Sequence, residues 1–218
     1  MKLQKQGGYV SIVLAGIIII NIIILILLFR NFTQSEIYDP VKMMESYSIY
    51  TIVFRVYYAL GILTGVLIVF IAFVLKERMK DSAPQLMRMA VVAASGYFVF
   101  AIAAEMSGIY RNIVLSEIND PAAFRSFLVL HECFAGASFN ALGWSFLFIG
   151  WSTLKTRAFS RILGYIMLVY GIAEIFVTVS IIEIAIPIGL LLGVLVFLWL
   201  GIVLLREQKP DQAAQETA

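Results

Sequence analysis

The sequence contains little charge, one cysteine and one histidine, and each shortage excludes a kind of chemistry. Cys133 and His131 are the single examples of their type among 218 residues. One cysteine excludes an intramolecular disulfide and a CxxC metal knuckle. One histidine leaves a zinc site short of its usual ligands. The GxSxG, GxxxxGK[ST] and GxGxxG fingerprints are also absent, so motifs indicate no serine hydrolase, P-loop or Rossmann chemistry.

The low charge points to a lipid environment. Charged residues make up 14% of the chain and hydrophobic residues 61%, whereas soluble domains carry about 25% charged residues. This composition is typical of a protein whose surface is solvated by a lipid bilayer. The net charge of +2 is small and no basic patch is interleaved with aromatic residues, so we expect no nucleic-acid partner.

Long apolar runs predict an all-α, six-helix transmembrane bundle. The first run exceeds the core of about 7–15 residues found in signal peptides, so we expect a retained helix. The last run, 162–205, would make a helix of about 66 Å, about twice the hydrocarbon thickness, and must fold back. We place that turn between Thr178 and Glu183. The predicted spans are 8–29, 48–75, 85–109, 127–154, 162–180 and 184–205, in one domain over 1–206 that precedes a disordered tail at 207–218.

The distribution of lysine and arginine between the connections predicts the orientation. Eleven of these residues fall on one side of the six spans and four on the other. Because cytoplasmic loops carry the excess of positive charge, we predict a multi-pass cell-membrane protein with both termini cytoplasmic. The first group is Lys2, Lys5, Lys76, Arg78, Lys80, Arg88, Lys155, Arg157, Arg161, Arg206 and Lys209, and the second is Arg30, Lys42, Arg111 and Arg125.

Two short patterns predict local structure. Asp120-Pro121 is typical of a helix N-cap followed by the first helical residue. The pairs Gly61/Gly65 and Gly189/Gly193 have the Gly-x-x-x-Gly spacing that permits close helix packing, either within the chain or against a partner.

Ionisable residues within the spans concentrate in the outer half of the predicted bundle, with Arg88 as the exception. Such residues are costly in a bilayer and are functional candidates by default. On the fourth span, Glu132, Gly136, Asn140 and Gly143 share one helical face. We therefore predict an outward-facing polar site for a small ligand or ion. Its candidate residues are Arg55, Glu105, His131, Glu132, Asn140 and Glu174.

Other interpretations of these residues stay open. Arg55 could pair with Glu105 or Glu132 in a purely structural role, because an unpaired charge costs about 2.5–3.5 kcal/mol at mid-membrane. His131 and Glu132 are weak metal candidates, and we expect no metal or other cofactor. His131 and Cys133 cannot form a nucleophilic pair on one helix, because residues two apart point about 200° apart.

The basic turn LKTRAFSRILGYI, at 154–166, is the best of several matches to a known family. With Phe54-Arg55, Arg88 and Gly143, it resembles a family of bacterial six-helix integral membrane proteins classed as a domain of unknown function. The resemblance implies six helices and no established activity, cofactor or substrate.

Three classes of function follow from these features. The one-sided placement of charge favours a non-enzymatic protein that binds or transports a small ligand or ion. The adjacent His131 and Glu132 would suit an intramembrane enzyme, either metal-assisted or acid–base. The two glycine pairs would suit a structural or accessory subunit that docks a membrane-protein partner.

Overall fold

The computed structural model describes residues 2–29, 39–118, 120–177 and 185–206, and all regular secondary structure in those residues is helical. The predicted all-α class is therefore confirmed for the described part of the chain. The helices are α1 (Lys2–Phe29), α2 (Pro40–Ile49), α3 (Thr51–Met79), α4 (Pro84–Ile118), α5 (Pro121–Thr156), α6 (Arg161–Val177) and α7 (Ala185–Arg206).

The six longer helices form a closed ring in chain order. Each of α3 to α7 packs against the long helix before it, and α1 closes the ring by packing against both α3 and α7. At the start of α1, Gly8 lies against Leu205 near the end of α7, and Gly7 lies against Val74 near the end of α3. The first helix therefore begins, and the last helix ends, at one end of the bundle, which we call the terminal end.

A continuous apolar core fills the ring and includes residues from all six long helices. Phe146 of α5, Tyr170 of α6 and Phe197 of α7 meet edge to face, with ring centroids 4.8 to 6.2 Å apart. Such edge-to-face contacts add to the free energy gained from burial. They fix α5, α6 and α7 against one another near the centre of the bundle.

Glycines let α5 and α6 approach closely. A Cβ atom on Gly143 would lie 2.5 Å from the carbonyl oxygen of Gly171, and one on Gly171 would lie 2.7 Å from the carbonyl oxygen of Gly143. Gly150 and Gly164 make a second close approach nearer the terminal end. Because backbone atoms cannot move aside cheaply, a side chain at these positions would separate the two helices.

Five helical segments in the described residues are long and apolar enough to cross a membrane. They are Lys2–Leu28, Thr51–Met79, Pro84–Asn112, Pro121–Thr156 and Ile188–Arg206. In α6, 17 residues are described, and the end of the predicted span 162–180 falls outside the described residues. The predicted turn between Thr178 and Glu183 and the tail 207–218 also lie outside them. The count of six spans stays a prediction.

The predicted polar connection after the third span is largely helical. Helix α4 continues to Ile118, and α5 begins at Pro121. Asp120 caps α5, because its Oδ1 accepts hydrogen bonds from the backbone N–H groups of Ala122 and Ala123 at 2.8 and 3.3 Å. The predicted N-cap is thus confirmed, and the longer α4 carries Arg111 on a helix rather than in a loop.

Candidate functional site

Glycines set the packing between α3 and α4. The Tyr58 ring of α3 lies on Gly108 of α4, where a Cβ atom would be 2.7 Å from the ring. One turn along, the Glu105 carboxyl of α4 lies against Gly61 of α3. Two large side chains, one of them a carboxylic acid, therefore fill space in the α3–α4 contact where Gly108 and Gly61 have no side chain.

Arg111 is the base at the centre of this region. Its side chain is 1% exposed. One guanidinium nitrogen, Nη2, donates a hydrogen bond to the Tyr58 hydroxyl at 2.8 Å. The guanidinium carbon lies 5.2 Å from the centroid of the Phe124 ring, a cation–π distance. Arg111 of α4 therefore links α3 to α5.

His131 on α5 completes the group. Its Nδ1 lies 2.8 Å from the carbonyl oxygen of Ala104 on α4. A carbonyl oxygen only accepts hydrogen bonds, so Nδ1 carries a proton and donates it to this bond. The ring also meets Tyr58 edge to face, with centroids 5.9 Å apart. We call Tyr58, Glu105, Arg111 and His131 the Arg111 cluster.

Glu105 differs from the other members because no base compensates it. Its Oε2 is buried and has no hydrogen-bond partner among the described residues. Its charge interacts with the hydroxyls of Tyr57, Tyr58 and Tyr97, whereas the acid that interacts with Arg111 is Glu132. Within the described part of the chain, Glu105 is therefore a half-buried side chain whose buried Oε2 has no counter-ion.

A hydroxyl on the facing helix is also unpaired. Thr64 lies one turn beyond Gly61 on α3, and its Oγ1 is buried without a hydrogen-bond partner in the described residues. Two oxygen acceptors, one on each helix, thus flank the glycine contact between α3 and α4. Buried polar atoms of this kind are few in native proteins and point to a ligand, ion or water.

Helix α2 packs beside the Arg111 cluster, at the end of the bundle away from the terminal end. Met44 of α2 is buried in an apolar group with Phe54, Tyr58 and Phe124. Asp39 caps this helix, accepting a hydrogen bond from the backbone N–H of Val41 at 2.9 Å. Because Met44 and Tyr58 share this group, α2 helps to hold the hydroxyl to which Arg111 donates.

The structure brings together only some of the predicted site residues. Glu105 and His131 lie in the Arg111 cluster. Arg55 and Glu132 have exposed side chains, and Asn140 is half-buried on α5.

The base at the buried position is Arg111, which the sequence analysis placed in an outer connection. The sequence between 109 and 120 contains no glycine or proline. This absence of a helix breaker is the signal that would have predicted a longer helix after the third span.

Glu174 lies apart from the Arg111 cluster, between α6 and α7. Its side chain is 5% exposed, and its Oε1 would be 3.1 Å from a Cβ atom on Gly189. Tyr97 of α4 is within electrostatic range of both Glu105 and Glu174. The predicted single site therefore separates into two carboxyl positions on different helix pairs.

Both predicted glycine pairs are confirmed as close-packing sites, and both pack within the chain. Gly61 and Gly65 contact Glu105 and Phe98, and Gly189 and Gly193 contact Glu174 and Tyr170. In each pair the first glycine meets a carboxyl group and the second an aromatic ring. These glycines consequently give no support to docking of an external partner.

The described residues contain no group of three or more histidine, cysteine, aspartate or glutamate side chains that could hold a metal ion. Cys133 is exposed, and Glu132, the next residue after His131, is exposed as well. Among the described residues, the weak metal candidates His131 and Glu132 therefore have no third ligand residue beside them.

Comparison of the chain with protein-family models, curated proteins and solved structures finds no match. The resemblance to a six-helix membrane family stays a prediction.

Replacing Arg111 with glutamine should destabilise the protein far more than the same change at Arg55. The Arg111→Gln change removes a hydrogen bond between a charged group and the buried Tyr58 hydroxyl, a loss of about 1.5–3 kcal/mol. Arg55 is exposed, so Arg55→Gln should change stability little. Unfolding free energies measured in detergent would check this, and equal losses for the two variants would contradict the assignment of Arg111 as the buried base.

Proposed function

We propose that the chain is a multi-pass membrane protein that binds a small cation at the Arg111 cluster, as a non-enzymatic binding or transport protein. The single observation that carries the proposal is the Glu105 carboxyl, whose Oε2 is buried without a hydrogen-bond partner in the described residues. A charged carboxylate in apolar surroundings is costly unless an opposite charge joins it. A bound cation supplies that charge.

A second oxygen atom near the Gly61 contact supports a cation. The Thr64 hydroxyl oxygen is buried and unpaired one turn from Gly61, the glycine against which the Glu105 carboxyl lies. Carboxylate and hydroxyl oxygens can both serve as cation ligands. Arg111 is held by Tyr58 and Phe124 and interacts with the charge of Glu132, so it orders the cluster.

The membrane topology belongs to the same proposal. We infer six spans, with α6 as the fifth, because α6 fills a place in the ring between two helices that are long enough to cross a membrane. The terminal end carries most of the lysines and arginines, which supports cytoplasmic termini. The Arg111 cluster then lies in the outer half of the bilayer and takes its ligand from outside the cell.

The other two classes of function have less support. An intramembrane enzyme of the metal-assisted kind needs a set of donors, and no such set occurs among the described residues. An accessory subunit was inferred from glycine pairs that lie in contacts within the chain. No specific observation favours either class over cation binding.

Binding should depend on Glu105 and not on Glu132. Purified protein in detergent is titrated with NaCl or KCl against choline chloride at constant ionic strength, and thermal unfolding is followed. A bound cation stabilises the folded state by about 2.7 kcal/mol at 100 times Kd. We expect saturable stabilisation in the wild type and in Glu132→Gln, whose side chain is exposed, and its loss in Glu105→Gln. The same stabilisation in Glu105→Gln, or none in the wild type with either salt, would reject the site.

Labelling of intact cells tests the topology. Single cysteines are introduced as Gln6→Cys, Ala122→Cys and Ala218→Cys in a Cys133→Ser background, and a membrane-impermeant maleimide is added. We expect labelling of the protein with Ala122→Cys, which lies at the exposed start of α5. The two terminal cysteines should react only after the cells are permeabilised. Labelling of one terminus without permeabilisation would mean an odd number of spans.

A further inference from the structure

Glu174 is a buried carboxyl that lies outside the proposed cation site at Glu105. Its Oε1 packs at the position where Gly189 of α7 lacks a side chain. Tyr170, one turn earlier on α6, packs in the same way on Gly193, with its hydroxyl oxygen 3.3 Å from the position of a Cβ atom there. The Tyr170 hydroxyl interacts with the Glu174 carboxyl. Both groups therefore lie in the contact between α6 and α7.

The basic residues of these two helices are Arg161, the first residue of α6, and Arg206, the last residue of α7, both at the terminal end. The sequence contains no lysine, arginine or histidine between Arg161 and Arg206. The ionisable groups that interact with Glu174 from the described residues are Tyr170 on its own helix and Tyr97 on α4. From α7 the carboxyl meets Gly189, and Gly171, one turn earlier on α6, packs against Gly143 and Leu147 of α5. Glu174 thus faces hydroxyls and glycine.

Arg111, which is buried, and His131, which is half-buried, have other partners in this half of the bundle. Arg111 donates to Tyr58 and interacts with the charge of Glu132, and His131 donates to the carbonyl of Ala104. Arg55 is exposed. A charged Glu174 would therefore lie in an apolar contact without compensation, which is strongly unfavourable.

The number of available ligands excludes a divalent cation as the compensating charge. Ca²⁺ takes about 6–8 oxygen ligands and Mg²⁺ demands near-octahedral coordination. The described neighbours of Glu174 supply one carboxyl group and phenol hydroxyls, while helix carbonyls are already engaged in backbone hydrogen bonds. A proton needs a single oxygen, and the resulting acid can donate one hydrogen bond.

We propose that Glu174 is an exchangeable proton-binding site of the α6–α7 contact, with Tyr170 as its hydrogen-bond partner. Uptake converts the carboxylate and one proton from water into the neutral acid, so charge and atoms balance without any co-reactant. The site goes beyond cation binding at Glu105 and does not depend on it. It gives the protein a group whose charge changes with proton uptake inside the bundle.

Infrared difference spectroscopy of the full-length protein during a pH titration tests the proposal, since a protonated carboxyl shows a C=O stretching band that a carboxylate lacks. We expect a buried-acid band that is lost in Glu174→Gln and kept in Glu105→Gln and in Glu132→Gln, the exposed control. Slow exchange into D2O should shift the same band. An identical spectrum in Glu174→Gln would overturn the assignment.

Two milder variants keep the proposal testable if Glu174→Gln fails to fold. Tyr170→Phe removes the hydroxyl and keeps the carboxyl, so the band should move to higher frequency. Gly189→Ala crowds Oε1 and should shift the same band, whereas Gly61→Ala should leave it unchanged. A band unaffected by both Tyr170→Phe and Gly189→Ala would also overturn the site. Failure of cation binding at Glu105 would appear in the salt titration and would leave this band in place.

Discussion

Two carboxyl groups of this bundle lie in helix contacts where the neighbouring helix has a glycine. Glu105 lies against Gly61, and Glu174 lies against Gly189. A methyl group at either glycine would occupy space that the carboxyl now fills, so the absence of one side chain allows the burial of another. Burial removes water from Glu174 and from Oε2 of Glu105 without supplying a base in the described residues. The proposals of a cation at Glu105 and a proton at Glu174 both follow from this constraint.

The two acids lie in separate helix contacts. Each lies in the contact of one antiparallel pair, α3 with α4 or α6 with α7, and each glycine pair also receives an aromatic ring, Phe98 or Tyr170. Tyr97 is within electrostatic range of both carboxyls. The two positions therefore share an electrostatic environment, although they lie on different helix pairs.

Much of the fold could be predicted from the sequence, because apolar runs and helix caps are local signals. The all-α class, the Asp120 cap and the close packing at both glycine pairs are confirmed. The site was harder to predict, because a charge pattern does not show which base lies next to which acid. Arg55 lies within the predicted span 48–75 but is exposed. Arg111 lies just after the predicted span 85–109, yet it is buried because α4 continues past that predicted end. Only the packing of three helices around Tyr58 reveals that the buried base is Arg111 and not Arg55.

A double-mutant cycle between Gly61→Ala and Glu105→Ala tests the central claim most directly. Unfolding free energies are measured in detergent for the wild type, both single variants and the double variant. With Glu105 present, the added methyl meets its carboxyl and should cost about 1–3 kcal/mol. With Glu105→Ala, it should cost no more than Gly16→Ala, a site where nothing lies within 4 Å of the new methyl. If the losses of unfolding free energy were additive, with the same cost for Gly61→Ala in both backgrounds, the contact between Glu105 and Gly61 would be contradicted.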